Sequence, residues 1–556
     1  MCRREAIYTG GGKGMERRNG PRGGRSSYTF VQGAALLAAA SLASRLIGGL
    51  ARIPLTRLLG GEGMGLFQMA YVIYTLAITF ATSGVTIATS RLVADSVARS
   101  RPREALACLR TALAVAVISG AGFWLVLDRW ALLLARSLLG EARAASVIRA
   151  IAPSVIPVSI IAAVKGYFQG LQRMAAPATA QVVEQLVRVT AMMWLVSSLR
   201  AEGLEHAVGG AAWANMVGAT AALVMLLALL AHPSARPGVG RERSRRSRRQ
   251  AALGPGRLLG RFTGIAVPVA AGAALFPLTD AVQTFLVPGR LQAAGVDPRQ
   301  ATNLYGQLHG MAYPLAGLPA IAASALAAAL VPAITEAVVC GPAGQVSRRT
   351  EAALRLTVMF SLPAAAGLVV LARPINELLF GIPEAGVPLV YVSAACVLIA
   401  LQQTTAGVLQ GLGRVSVPAY GLLAGLVANA AVTYFLTAVP ALNISGAALG
   451  IVAGFLVAAG VNLAVVVGVT GAGRDVRGLV VKPAAAAAVM AVCASAVYEL
   501  VTCGLGAGNT PATLAAVGTG VVSYAAALFL LGGVRREELE MVPVLGRLVR
   551  RGPRPR

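Results

Sequence analysis

Val415–Gly473 reads VSVPAYGLLAGLVANAAVTYFLTAVPALNISGAALGIVAGFLVAAGVNLAVVVGVTGAG, fifty-nine residues without one Asp, Glu, Lys or Arg. Crossing roughly 30 Å of hydrocarbon takes about twenty helical residues, so this stretch holds two crossings. Shorter uncharged runs flank it, among them Leu113–Leu127, Val208–Ala231 and Val387–Leu412. The whole chain of 556 residues is 56% hydrophobic and only 13% charged, with mean hydropathy +0.71. A soluble protein of this length carries about twice that charge. The sequence therefore predicts an all-α polytopic membrane protein.

Fourteen spans are predicted, at about 30–50, 64–90, 106–127, 148–171, 177–199, 207–231, 259–287, 303–331, 352–372, 387–410, 415–438, 446–469, 479–503 and 511–533. The apolar run after residue 29 continues through Arg45 to Leu59, too long for a signal peptide, so the first span is read as retained. The even loops and both tails carry 36 of the 49 Lys and Arg residues, nine of them between Arg236 and Arg261. Basic residues collect on the cytoplasmic side, which places both termini in the cytoplasm of a bacterial inner membrane protein and requires an even span count. The predicted organisation is a basic, disordered tail (1–29), a first lobe (30–231), a basic linker (232–258), a second lobe (259–469), a helix pair (470–534) and a basic tail (535–556).

The two lobes rest on an internal repeat. Gly166–Arg173 with Pro177–Ala178 and Gly407–Arg414 with Pro418–Ala419 share GxxQGLxRxxxPA at a spacing of 241 residues, and the same spacing pairs Asp95 with Glu336. Six spans per copy keep the orientation parallel, an arrangement that places a cavity between lobes which open to each side in turn.

Ionisable groups inside spans cost a few kcal/mol or more and mark functional candidates. Arg45 and Arg52 share a face of span 1. Lys165 and Gln169 lie one turn apart in span 4. Gln181, Glu184, Gln185 and Arg188 form a stripe on span 5, and Asp280 and Gln283 share a face of span 7. Arg45, Arg52, Lys165 and Arg188 against Glu184 and Asp280 leave a positive excess. Such a pocket suits a diphosphate, whose lost hydration Arg and Lys replace. The blander alternative is an i, i+4 surface pair for Glu184–Arg188 and snorkelling for Arg45, Arg52 and Arg57. Gln307 and His309 read as helix-packing residues. Gly61–Glu62–Gly63–Met64–Gly65 reads as the tight turn between spans 1 and 2, and the recurring prolines as points of bending.

Other function classes find little support. The net charge of +27 comes with only 5% aromatic residues, so no stacking platform for nucleic acid is present. The six cysteines form no CxxC and the three histidines lie far apart, which implies neither metal nor cofactor. No phosphate loop or soluble domain for ATP hydrolysis is found, so the chain reads as a non-enzyme driven by an ion gradient, the membrane potential or product removal.

Ser44–Arg45–Leu46–Ile47–Gly48, Arg52 and the run Arg57–Phe67 resemble the opening of the stage V sporulation protein B group of the multidrug/oligosaccharidyl-lipid/polysaccharide (MOP) exporter superfamily. Gly84–Asp95, Leu330–Glu336 and the doubled QGLxR…PA element are similar too. The resemblance implies two six-helix bundles plus a terminal helix pair in a V-shaped transporter. It further implies flipping of a lipid-linked cell-wall precursor, with a role in spore-cortex peptidoglycan. The related MurJ lipid II flippases use first-span arginines in a cationic cavity, which carries over to Arg45 and Arg52. Span 2 here has no arginine within it, unlike those flippases. The implied partners are an anionic lipid-linked oligosaccharide, membrane lipids and a monovalent coupling ion, with the protein a monomer. Three alternatives stay open: another lipid-linked polysaccharide repeat as substrate, a multidrug/cation antiporter, and a non-transporting scaffold of wall synthesis.

Overall fold

The computed structural model describes residues 24–232, 254–342, 344–472 and 477–532. Most of the expected N-terminal tail and linker, and the whole C-terminal tail, lie outside these residues. The first helix begins at Gly24, inside the stretch expected as tail.

The described residues form helices joined by short turns, with no strand among them. A chain this apolar must satisfy its backbone internally once water is excluded, and within one segment only a helix does so. Hydroxyls follow the same rule: in span 2 the side chains of Thr75, Thr79, Thr82 and Ser83 each donate to the carbonyl four residues earlier. Thirteen described helices are long and apolar enough to cross a membrane, and the first of these runs 64 residues, from Ala35 to Ala98. That is about three times the roughly twenty residues of one crossing, and the helix breaks at Gly60, with φ 67° and ψ −174°. Only glycine takes this conformation at little cost. Span 1 (24–59) and span 2 (61–98) therefore meet at a single residue, and the described residues hold fourteen helices long and apolar enough to cross a membrane. The Gly61–Gly65 segment, expected as the turn, is instead the first turns of span 2.

The remaining spans are 3 (Pro102–Arg129), 4 (Ala144–Gly170), 5 (Ala175–Leu199), 6 (Leu204–Ala231) and 7 (Pro255–Ala293). Span 8 starts earlier than expected and is broken: Pro298–Tyr305 passes through π-helical turns at Gly306–Ala312 to Tyr313–Ala316 and then Leu318–Cys340. Pro314 and Pro319 fall at these joints, where each removes a backbone donor. Spans 9 (Gln345–Val370), 10 (Gly386–Gly411), 11 (Ser416–Leu436), 12 (Ile444–Thr470), 13 (Gly478–Gly504) and 14 (Asn509–Leu530) complete the chain. A short helix, Ala372–Phe380, lies between spans 9 and 10.

The repeat is visible in the packing. A Cβ on Gly166 would stand 2.6 Å from Thr86 O, and one on Gly170 would stand 2.7 Å from Ser90 O. Their counterparts 241 residues on, Gly407 and Gly411, approach Ala327 O and Val331 O at 2.8 and 3.0 Å. Span 4 thus sits on span 2 as span 10 sits on span 8. Both helices end alike, with Arg173 N donating to Phe168 O (2.9 Å) and Arg414 N to Leu409 O (2.8 Å). Spans 13 and 14 rest on the second lobe through Tyr524, which donates to Met359 O, and Asn509, which donates to Pro374 O.

The lobes meet on the axis relating the copies. Gly65 and Gly306, equivalent by the repeat, face each other, and Gln68 Nε2 donates 2.8 Å to the carbonyl of its own counterpart, His309. This crossing lies near the end of the bundle that bears Gly60, hereafter the far side; the opposite, tail side holds Gly24 and Gly532, the first and last described residues. Span 7 passes between the lobes. Its tail-side residues Leu258, Phe262 and Ala266 pack on Val85, Ala88 and Leu92 of span 2, while Gln283 and Arg290 engage span 11.

Candidate functional site

A cavity of about 310 Å³ lies between the lobes, walled by Arg52, Gln68, Tyr71 and Thr75 of the first lobe, by Phe276, Pro277 and Asp280 of span 7, and by His309, Tyr313, Ile399 and Gln403 of the second lobe. Arg52 is the cation and Asp280 the carboxylate on this wall. Tyr313 lines the same wall as Asp280, and the His309 ring stacks on Tyr305 at 4.7 Å between centroids. Gln68, His309 and Gln403 each carry a buried polar side-chain atom that has no hydrogen-bond partner among the described residues. Unpaired buried polar atoms are costly, and three of the residues that line this cavity carry one.

The structure divides the expected site residues into groups. Arg52 and Asp280 face the cavity together. Lys165 and Glu184 pair at 3.5 Å in a second polar group between spans 1, 4 and 5. Arg188 joins it by donating to Gln185, and Gln181 accepts from Ser41 at 3.2 Å. Gln169 is half-buried one turn beyond Lys165. Tyr71 and Tyr74, with rings 5.9 Å apart, bridge the two groups: Tyr71 feels the charge of Arg52, and Tyr74 those of Glu184 and Arg188. Arg45 is exposed, two helical turns toward the tail side of Arg52. Gln283 turns away from the cavity into span 11, where it donates to Asn429 and, at 2.6 Å, to Thr433. Asn429 is the repeat counterpart of Arg188, so the second lobe holds an uncharged amide cluster where the first holds ions.

Gln68, Tyr71, Tyr313 and Gln403 also line the cavity though no charge in the sequence marks them, and His309, expected as a packing residue, stands on its wall. The signal for two of them was available, because the 241-residue spacing maps Gln68 onto His309.

At the far side the lobes are joined by polar contacts. Arg143 bridges Glu62 (2.6 Å) and Glu141 (2.8 Å), and Thr302 donates 3.0 Å to Glu141 across the lobes. Arg57 donates to the carbonyls of Leu378 and Leu379 at the end of the short helix Ala372–Phe380. Burial pushes the Glu141 carboxyl up, yet the hydrogen bonds and charge of Arg143, with the Thr302 hydroxyl, outweigh it and hold the group below the usual carboxylate range. Among the described residues no cluster of His, Cys, Asp or Glu could hold a metal ion.

Known proteins share this architecture. Stage V sporulation protein B of Bacillus subtilis (strain 168) is 27% identical over 527 residues, covering 94% of this chain and 99% of that protein. Lipid II flippase MurJ of the same organism is 26% identical over 422 residues, 72% of this chain and 76% of the flippase. Among solved structures, an inward-facing multidrug resistance MATE transporter of the MOP superfamily superposes with TM-score 0.64 at 16% identity, covering 78% of this chain and 98% of the other. Lipid II flippase MurJ in an inward closed conformation gives TM-score 0.64 at 11% identity, covering 89% and 98%. Residues 30–338, more than half the chain, match the polysaccharide biosynthesis protein family. Two lobes of six helices related by a 241-residue repeat, a polar cavity between them and this match lead to one assignment: the chain is a multi-pass membrane protein that belongs to the polysaccharide biosynthesis protein family and has the fold of the MOP-superfamily transporters.

Proposed function

We propose that the protein is a flippase for a lipid-linked anionic saccharide, an undecaprenyl-diphosphate-linked cell-wall precursor of the lipid II type, and that it serves peptidoglycan synthesis during sporulation. The observation that carries this reading is the inter-lobe cavity, where Arg52 stands beside three residues with unpartnered polar atoms. A guanidinium offers a diphosphate paired, charge-assisted hydrogen bonds, and in a site shielded from water these are roughly twice as strong as neutral ones. Lys165 and Arg188, linked to the cavity through Tyr71 and Tyr74, form a second station for the phosphates once substrate displaces the Lys165–Glu184 pair. Arg45, exposed nearer the tail side, serves as the first contact of an entering headgroup.

With both termini in the cytoplasm, as the basic loops favour, the far side is the outer side. This conformation is then closed outward at the Gly65–Gly306 crossing and at Arg57. Transport alternates it with a state in which those contacts part. The protein works as a monomer without chemical conversion of its substrate, and stage V sporulation protein B and MurJ as relatives support the assignment to cell-wall work.

One observation favours a second reading. Asp280 lines the same cavity and could bind a cation, as an antiporter requires. Translocation of lipid II in reconstituted vesicles, with and without a membrane potential, separates the two. Flipping that depends on Arg52 supports the flippase, whereas cation efflux that depends on Asp280 without lipid flipping refutes it.

A further inference from the structure

A second and larger cavity, about 610 Å³, lies outside the inter-lobe site, between the tail-side half of span 8 and span 9. Its wall is apolar along its length, from Pro319, Ala323, Leu326 and Leu330 on span 8 to Leu356 and Phe360 on span 9. Alanines at 322, 323, 329 and 333 give span 8 a low surface here, so the two helices leave a groove where larger side chains would interlock. Behind it Leu330, Ala353 and Val408 pack tightly and close the back. The hydroxyls nearby are already satisfied: Thr357 is paired with Thr404 at 2.7 Å, and Ser361 donates to Thr357 O. The floor therefore offers no hydrogen bond to a polar guest.

The groove's tail-side end is different. Arg348 and Arg349 both line it. Arg349 is held over span 8 by the carbonyl of Ala333 and lies 3.5 Å from Glu336, a side chain 71% exposed. Two guanidiniums against one solvated carboxylate leave a net positive mouth. Pro319 to Ala333 spans about 20 Å of helix rise, enough to hold an acyl chain through the roughly 15 Å of hydrocarbon in one leaflet.

We propose that this groove binds an anionic phospholipid of the tail-side leaflet, one acyl chain lying between spans 8 and 9 and the phosphate at Arg348 and Arg349. An apolar trough without hydrogen-bonding groups, ending in paired cations at the headgroup level, matches an acyl chain joined to a phosphate. A zwitterionic lipid fills the trough equally well but brings its own cation to the mouth. The site is separate from the inter-lobe cavity, although the two share a wall: Ala320 and Ile399 face the cavity while Ala323 and Ala400 face the groove. The proposal does not rest on the flippase reading, because binding is measured without transport.

The test uses the purified full chain in nanodiscs containing spin-labelled phosphatidylglycerol or phosphatidylcholine, with the motionally restricted fraction read by electron paramagnetic resonance. The expected result is a phosphatidylglycerol preference of about tenfold at one site, abolished by Arg348→Gln with Arg349→Gln. Ala323→Phe, which fills the trough, should remove the restricted site for both lipids, and an unchanged thermal midpoint shows that each variant is folded. Equal binding of the two lipids by the unaltered protein, or a preference that survives loss of both arginines, overturns the proposal. Displacement of phosphatidylglycerol by undecaprenyl phosphate at a tenth of its concentration also overturns it, and assigns the groove to an isoprenoid chain.

Discussion

Gly306→Ala adds a single methyl at the point where the lobes touch. The new Cβ would overlap the Gly61 carbonyl oxygen and stand 2.6 Å from Gly65 N and 3.0 Å from Gly61 C. All three are backbone atoms of a helix, so none can rotate away, and spans 2 and 8 must part by close to an ångström. Overpacking of this kind costs about 1–3 kcal/mol. If the crossing exists only while the far side is closed, the whole cost falls on that state and shifts the open-to-closed ratio roughly 5- to 150-fold. The assay is labelling of a Thr75→Cys probe on the cavity wall, in a background free of the native cysteines, by a membrane-impermeant maleimide applied from the far side. The labelling rate should rise by that factor in Gly306→Ala. Gly209→Ala, where an added Cβ meets nothing within 4 Å, should leave it unchanged. A wild-type rate in a folded Gly306→Ala protein, or an equal rise in Gly209→Ala, would refute the gating role of the crossing.

Three further outcomes follow from the far-side contacts and the second lobe. Arg57→Ala removes two hydrogen bonds to the carbonyls of Leu378 and Leu379; for an exposed side chain this is worth about 1 kcal/mol, so Thr75→Cys labelling should quicken by up to about tenfold. Glu141 has a folded-state pKa below its unfolded value, so it adds stability above the unfolded pKa that is lost as pH falls through the folded one. The gap in thermal midpoint between the native protein and Glu141→Gln should accordingly close as the solution is acidified, and a gap that widens in acid would contradict the assignment. Gln283→Leu removes the amide that donates to Asn429 and Thr433 and leaves them only the 3.1 Å bond from the Thr433 hydroxyl to Asn429, at a cost of about 1–3 kcal/mol; Asn429→Leu with Thr433→Val added to it should recover part of the lost thermal midpoint rather than lower it further.

The membrane fold was legible because hydrocarbon is an undemanding solvent to read: long uncharged runs such as Val415–Gly473 have few other uses. The GxxQGLxR repeat likewise told which helices are equivalent, and its glycines mark where spans 4 and 10 approach spans 2 and 8. What escaped was local. The bend is one residue, Gly60, because a glycine at positive φ reverses the chain unaided, and the sequence offers several glycines there without ranking them. Span 8 shifted because apolarity locates a helix but says nothing of the π-helical turns ahead of Pro314.

The site was half legible for a related reason. Charge inside a span signals that a residue is costly, and it drew attention to Arg52 and Asp280, but it does not say which partner a charge meets. Lys165 and Glu184 found each other, and Gln283 found Asn429. The uncharged members of the wall, Gln68, Tyr71 and Gln403, gave no comparable signal because amides and phenols also serve ordinary helix packing.

The most direct test of the account is transbilayer movement of lipid II by the full chain in proteoliposomes, compared between the native protein and Arg52→Gln. A guanidinium contact to a diphosphate worth about 1.5–3 kcal/mol predicts a translocation rate that falls roughly 10- to 150-fold while the thermal midpoint is kept. Flipping by Arg52→Gln within twofold of the native rate, or no flipping by the native protein at any membrane potential, would contradict it.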